Sequence, residues 1–340
     1  MDLLPTDEQS EIVATVRTQL ERDFDLHTLA QTADFADTAI SSELWQRCAD
    51  LGWFALGLDE HLGGVGYSLV EEALLFAELG AHATPGPFLA TVLATRLAAT
   101  AGQADLARQL LSGQTHAALA EPDGDADAVV GPTVRGRFRI TDLAGAGVVL
   151  VLTPSGAALV DAAEITATPE PSIDVQVPLS AADLDAVARC SSDTSDLYDR
   201  AGVLVAAELA GIATATAEQS TEYAKDREQF GTPIGAFQAV KHRCADMAVR
   251  AEAATCAVRY ASLAVADGQP DAAFWTHTAR SIAGDAAITN AQVNVQNHGG
   301  IGFTWEHTAH RFVTRAQVRS RTAGDRFRHL DDLLEQSAPD

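Results

Sequence analysis

Ile12, Val13, Val16 and Leu20 recur at helical spacing behind Thr6, Asp7 and Glu8, which predicts an amphipathic helix over residues 6–22 with Thr6 as its cap. Leu44, Trp45, Cys48 and Leu51 predict a second helix over 42–51, followed by the turn Gly63-Gly64-Val65-Gly66. Helix resumes over 68–79, where Ser68 and Glu71 have capping-box spacing. From Phe88 to about Leu111 the pattern is helical again and rich in alanine, with Gly102 as its one breaker. The first 112 residues read as an all-helical unit.

Gly, Pro, Asp and Val then dominate residues 113–178, with β-like stretches at 135–140, 147–152 and 157–160. Helix returns from about Leu197 in four segments, 197–227, 237–267, 271–297 and 305–335. Short breaks at Gly231-Thr232-Pro233, 267–270 and 299–302 separate them, which predicts an antiparallel four-helix bundle. The expected fold class is mainly α with a small β insert: an N-terminal helical domain over 1–112, a reduced β domain over 113–180 and a bundle over 181–340.

Composition narrows the function. There are 47 acidic against 23 basic residues, a formal charge of −24, and Lys225 and Lys241 are the only lysines. Nucleic-acid binding is not expected, because neutralising a phosphate backbone takes clustered Lys and Arg. The arginines do crowd near the C-terminus, at Arg311, Arg315, Arg319, Arg321, Arg326 and Arg328, a run read as helix faces and interface ion pairs, with a phosphate contact as the alternative. Cys48, Cys190, Cys244 and Cys256 lack metal or redox spacing and are expected to be free thiols. The acidic N-terminus has no leader-like pattern, and no apolar stretch reads as a bilayer crossing, so the expected location is cytoplasmic, without a membrane partner.

Two segments offer ligand chemistry. Arg227 ends a helix and presents a fork of donors suited to a pyrophosphate, with Gln229 and the apolar Phe230 beside it and the break at Gly231 following. Phe237 and Gln238 open the next helix, where the glutamine can donate to a nucleotide or its ribose. Gln296, Gly299 and Gly300 close a later helix with backbone that a ligand can approach, since glycine has no Cβ. Glu306, His307 and His310 do not have the order of a known metal motif, so no metal site is expected there. The chain also lacks a G-x-S-x-G elbow and a phosphate-binding G-x-x-x-x-G-K-[ST] loop.

The stretch from Tyr223 through Arg227-Glu-Gln-Phe-Gly231 and Phe237-Gln238 to Met247 resembles the signature of acyl-CoA dehydrogenases, as does Gln296-Asn-His-Gly-Gly-Ile-Gly-Phe303-Thr-Trp-Glu306. Leu51-Gly-Trp53, Gly63-Gly64-Val65-Gly66 and Glu78-Leu79-Gly80 are similar too, so the resemblance covers nearly the whole chain. It implies the same domain order, an FAD cofactor and α,β-dehydrogenation of an acyl-CoA thioester. It further implies that Arg227, Gln229, Phe230, Phe237, Gln238, Gln296, Gly299 and Gly300 contact the FAD of a neighbouring subunit.

The same resemblance exposes departures. The family's catalytic glutamate falls, by ungapped count, on Ala323 in Ala323-Gly324-Asp325, and its alternative place falls near Ala201; alanine cannot take a proton. Asp325 and Asp199 are the nearest carboxylates, each expected to be a helix cap or surface charge. In the middle domain Ala120-Glu121-Pro122 survives from a Thr-Glu-Pro strand, while the Trp-Ile-Thr strand has no evident counterpart.

No catalytic residue is therefore expected in this chain. The resemblance implies an oxidoreductase subunit of lipid metabolism, without catalytic chemistry of its own, within an α2β2 heterotetrameric flavoprotein. It resembles the short subunits of actinobacterial enzymes of steroid degradation, with a catalytic homologue as partner, acyl-CoA bound mainly there, and an electron-accepting flavoprotein downstream. The alternatives are a complete homomeric enzyme with a displaced base and a flavin-free scaffold of the same fold.

Overall fold

The computed structural model describes residues 3–24, 40–124 and 128–336. The helices are α1 (Asp7–Asp23), α2 (Ser42–Asp50), α3 (Leu69–Ala81), α4 (Phe88–Thr100), α5 (Ala104–Leu111), α6 (Asp196–Asp226), α7 (Gln238–Ala266), α8 (Ala272–His298), α9 (Ala309–Arg319) and α10 (Arg326–Glu335). The strands of the main sheet are β1 (Ala117–Pro122), β2 (Thr133–Thr141), β3 (Val148–Thr153), β4 (Gly156–Asp161), β5 (Thr168–Glu170), β6 (Leu179–Val187) and β7 (Cys190–Ser192). The chain divides into two compact units, one formed by residues 32–72 and 85–201 and the other by the remainder.

In the unit holding residues 85–201, the sheet has the order β5-β6-β2-β1-β3-β4-β7. Central β1 runs parallel to β3 and antiparallel to β2. Along β2 and β6, Val134, Phe138, Ile140, Ala182 and Leu184 alternate inward with the apolar residues of β1, β3 and β4 to form the core. The opposite face of β2 carries Arg135, Arg137 and Arg139, paired with Asp185, Asp183 and Asp123. The sheet continues twelve residues past the expected boundary at 180, because β6 and β7 belong to it.

In the same unit a buried peptide is gripped from both sides. Glu72 accepts from the amide of Gly57 at 3.1 Å and pairs with Arg200 at 2.5 Å, while Arg96 donates to the Gly57 carbonyl at 2.8 Å. Desolvation by burial, followed by repulsion from Arg200, holds the Arg96 guanidinium below the ordinary arginine range.

The other unit is the bundle with α1 and most of α3. Thr6 and Gln9 form a reciprocal capping box on α1. Helices α3 and α6 touch main chain to main chain: a Cβ on Gly80 would lie 1.9 Å from the Glu208 carbonyl oxygen. Asn290 of α8 donates to the carbonyls of Ala213 on α6 and Met247 on α7, both at 2.9 Å, and accepts from Arg250 at 2.9 Å. One turn on, Asn294 accepts from Ser220 at 2.8 Å. These buried amides lock the helices together just before the end that carries the two motifs.

Three expectations need correcting. The stretch 88–111 is two helices, separated where Gly102 adopts φ +75°. The segment 305–335 is also two, α9 and α10, broken at 320–325. And α6 is long and apolar enough to cross a bilayer by length and composition, although 83% of its most apolar window is buried inside the protein as a core helix.

Candidate functional site

The ends of α6 and α8 and the start of α7 meet at one end of the bundle. Tyr223, one turn before Arg227, stacks on His298 with ring centroids 4.3 Å apart. Arg243 donates to Asn297 at 3.5 Å, and Asn297 also reaches Cys244 and Met247. The His298 ring bonds the Asn294 carbonyl at 2.8 Å, and burial pushes its imidazole below the ordinary histidine range, which keeps it neutral. This frame brings the two motifs together.

After Arg227 the chain makes a short hairpin, β8 (Glu228–Gln229) with β9 (Thr232–Pro233), in which Gln229 pairs with Thr232. Its turn residues Phe230 and Gly231 both have positive φ, +56° and +79°, the conformation of a type I′ turn. The strained Phe230 is 94% exposed and meets Phe237 edge to face at 6.1 Å. Phe237 precedes α7 in extended conformation and Gln238 is its first residue. At the other motif α8 stops at Gly299, φ +65°, and 299–303 forms a 3-10 turn.

All eight expected ligand-contacting residues, Arg227, Gln229, Phe230, Phe237, Gln238, Gln296, Gly299 and Gly300, are exposed. A Cβ on Gly231, Gly299 or Gly300 would meet nothing within 4 Å, so the backbone there faces open space. Ile301, Phe303 and Trp305 add apolar surface, the last two 82% and 71% exposed. The arrangement offers a cation, amide donors, bare backbone and aromatic faces, a set suited to a dinucleotide.

The positions expected to lack a base are closed. Ala323 is fully buried in the left-handed conformation, φ +54°. The 320–324 turn around it is held by the buried Arg280, whose Nη2 donates to the carbonyls of Thr322 at 2.6 Å and Gly324 at 2.8 Å. Ala201 is likewise fully buried. Asp325 caps α10 by accepting from the Arg328 amide at 3.0 Å, and Asp199 accepts from Ser195 Oγ at 2.9 Å in the first turn of α6. Both carboxylates therefore serve helix starts.

The sheet shows what lies beside the Ala120-Glu121-Pro122 strand. Glu121 of β1 stands opposite Arg139 of β2, and Ala120 opposite Ile140. The strand beside Ala120-Glu121-Pro122 therefore carries Arg139-Ile140-Thr141, and Arg139 is tied to Asp123 at 3.2 Å. The crowd of arginines also resolves. Arg315 donates to the Thr84 carbonyl at 2.6 Å and Arg319 to Glu208 at 2.8 Å, both buried, while Arg321, Arg326 and Arg328 are exposed. His307 accepts from the Ala309 amide at 3.1 Å, and His310 packs edge-on against Trp305 at 5.0 Å.

Residues 6–116 match the acyl-CoA dehydrogenase N-terminal domain and residues 198–337 its C-terminal domain. The acyl-CoA dehydrogenase IpdE2 of Mycobacterium tuberculosis is 35% identical over 290 residues, 83% of this chain and 82% of that protein. The chain belongs to the acyl-CoA dehydrogenase family.

The family member FadE34 of Mycobacterium tuberculosis is 37% identical over 274 residues, 79% of this chain but 38% of FadE34, so this chain spans well under half of that relative. Among solved structures, the Tcur3481-Tcur3483 steroid ACAD superposes with a TM-score of 0.85 at 25% identity over 97% of both chains. The ChsE4-ChsE5 complex from Mycobacterium tuberculosis has the same fold, with a TM-score of 0.84 at 23% identity over the whole of both chains.

Proposed function

We propose that this acyl-CoA dehydrogenase family member is a subunit that contacts FAD in trans and supplies no base, within a heteromeric enzyme acting on an acyl-CoA thioester. The observation that carries the reading is Ala323, an apolar, fully buried residue where the family's glutamate is expected. Asp325 and Asp199, the carboxylates nearest the two expected positions, are committed to helix starts, which argues against a displaced base.

The residues present fit FAD. Arg227 would pair with the pyrophosphate, the open backbone at Gly299 and Gly300 would admit it closely, and Gln238 and Gln296 would donate to the nucleotide. When bound, FAD supplies the hydride acceptor. Arg139, in the strand beside Ala120-Glu121-Pro122 and tied to Asp123, offers no flat aromatic face to a flavin ring, which supports a site shared with a partner that holds the ring.

Heteromeric assembly and a steroid side-chain substrate follow by analogy with the Tcur3481-Tcur3483 steroid ACAD and the ChsE4-ChsE5 complex, which this chain resembles. The assembly would be α2β2, with an electron-accepting flavoprotein as redox partner. Co-expression with a catalytic homologue tests the reading. The expected result is a yellow, active complex from two colourless or inactive parts, and an Arg227→Ala complex that loses flavin absorbance about tenfold more readily on dilution. Dehydrogenase turnover by the isolated chain would sink it.

A further inference from the structure

The break between α9 and α10 rests on a buried polar cluster that the proposed function does not use. On α8, Arg280 donates from Nε to His329 Nε2 at 3.1 Å and from Nη2 to the carbonyls of Thr322, Gly324 and, at 3.4 Å, Ser320. His329 of α10 faces His277 of α8, Nδ1 to Nδ1, at 2.9 Å. Asp332 of α10 lies 3.7 Å from the same His277 nitrogen. Arg280, His277 and His329 are all buried. Outside this cluster, α10 is further tied by Arg326 to Asp285 of α8 at 2.5 Å, and Arg328 stands 3.9 Å from Asp332 on α10 itself.

The hydrogen positions follow from chemistry. An arginine Nε always carries its proton, so His329 Nε2 must present a lone pair to it. The His329 proton therefore sits on Nδ1 and is donated to His277 Nδ1, which accepts. A further proton on His329 Nε2 would set donor against donor across 3.1 Å, in a site that already holds a guanidinium. Docked α10 thus requires a neutral His329.

We propose that this cluster is an acid-released latch: the Arg280–His329–His277 array holds helix α10 and the 320–325 turn onto α8 only while His329 is neutral, and acidification undocks them. Desolvation by burial, then the charge of Arg280, then His277, push docked His329 from the ordinary 6.5 down to about 2. Once α10 lifts, His329 is free to take a proton near 6.5. The sign follows: opening binds a proton, so the latch is at full strength above about pH 6.5 and weakens continuously as pH falls toward 2.

His277, His329 and Asp332 also place three donor atoms within 4.8 Å of one another, a spacing a divalent cation can use. Binding through His329 Nδ1 would force its proton onto Nε2, against the Arg280 Nε–H. The geometry therefore favours the latch.

Hydrogen exchange on the full chain, read by mass spectrometry at pH 7.5 and 5.0 and corrected for intrinsic rates, tests this. The opening equilibrium of residues 326–335 is expected to rise roughly 30-fold at pH 5.0, with α7 changing far less. In His329→Gln, whose amide can accept from Arg280 and donate to His277, that pH dependence should vanish. Should the variant not fold, histidine ring nitrogen NMR of the wild type decides: His329 is expected to remain a neutral Nδ1–H imidazole at pH 5.0. Three results would overturn the latch: an opening that does not change with pH, a docked His329 that titrates near 6.5, or protection of α10 by Zn(II) that EDTA reverses.

Discussion

Gly211 of α6 lies so close to Ala77 of α3 that a Cβ on the glycine would stand 1.9 Å from the Ala77 carbonyl oxygen. With Gly80 against Glu208 one turn away, this makes the α3–α6 contact a backbone contact with no slack. Gly211→Ala is expected to cost about 3 kcal/mol or more, since neither main chain can retreat without moving its helix. Gly284 in α8 is the control, because its Cβ would meet nothing within 4 Å. Gly284→Ala should gain up to about 1 kcal/mol from helix propensity. Urea melts of the two variants measure the contrast.

Phe230 pays for its position. A phenylalanine at φ +56° in a two-residue hairpin is strained, and asparagine is the residue that such a turn favours. Phe230→Asn is expected to stabilise the isolated chain by about 1 kcal/mol. The same variant should weaken flavin retention in the assembled enzyme, because the exposed ring is lost. A stability gain with unchanged flavin content would mean that the ring has no ligand role.

Asp325 separates two readings of the chemistry. Asn caps a helix about as well as Asp, so Asp325→Asn should leave stability within a few tenths of a kcal/mol, while Asp325→Ala costs about 1 kcal/mol. Turnover of the assembled enzyme should be unaffected by either. A fall of a hundredfold or more in kcat for Asp325→Asn, with the fold intact, would make this aspartate the base.

The Glu72–Arg200 pair predicts a large effect from a small change. Glu72→Gln leaves the buried Arg200 and the half-buried Arg96 facing a neutral amide and should cost about 3–5 kcal/mol. Thermal denaturation at neutral pH checks this, and a loss below about 1 kcal/mol would show that water reaches the pair.

Helices with clear periodicity, caps and glycine stops were legible in the sequence: Thr6 and Ser68 mark helix starts, and Gly299 ends α8. The middle sheet was read in part. Strand β1 begins Ala117-Ala118-Leu119-Ala120, residues that favour helix in isolation and became a strand only by pairing on both edges. In β6 the alternation of Ala182, Leu184 and Ala186 with Asp183 and Asp185 was a usable signal, masked by the low β propensity of both residue types. The two motifs of the candidate site were visible because glycine, arginine and aromatic residues cluster there. Arg280 and His329 were not, since they lie 49 positions apart and only the folded chain puts them in contact.

The bare aromatic end of the bundle has a consequence for the cell. A chain that leaves Phe230, Phe303 and Trp305 open to water is adhesive until something covers them. If the proposed partner subunit is what covers them, surplus copies would aggregate or be degraded, and production of this chain would have to keep step with that of the partner.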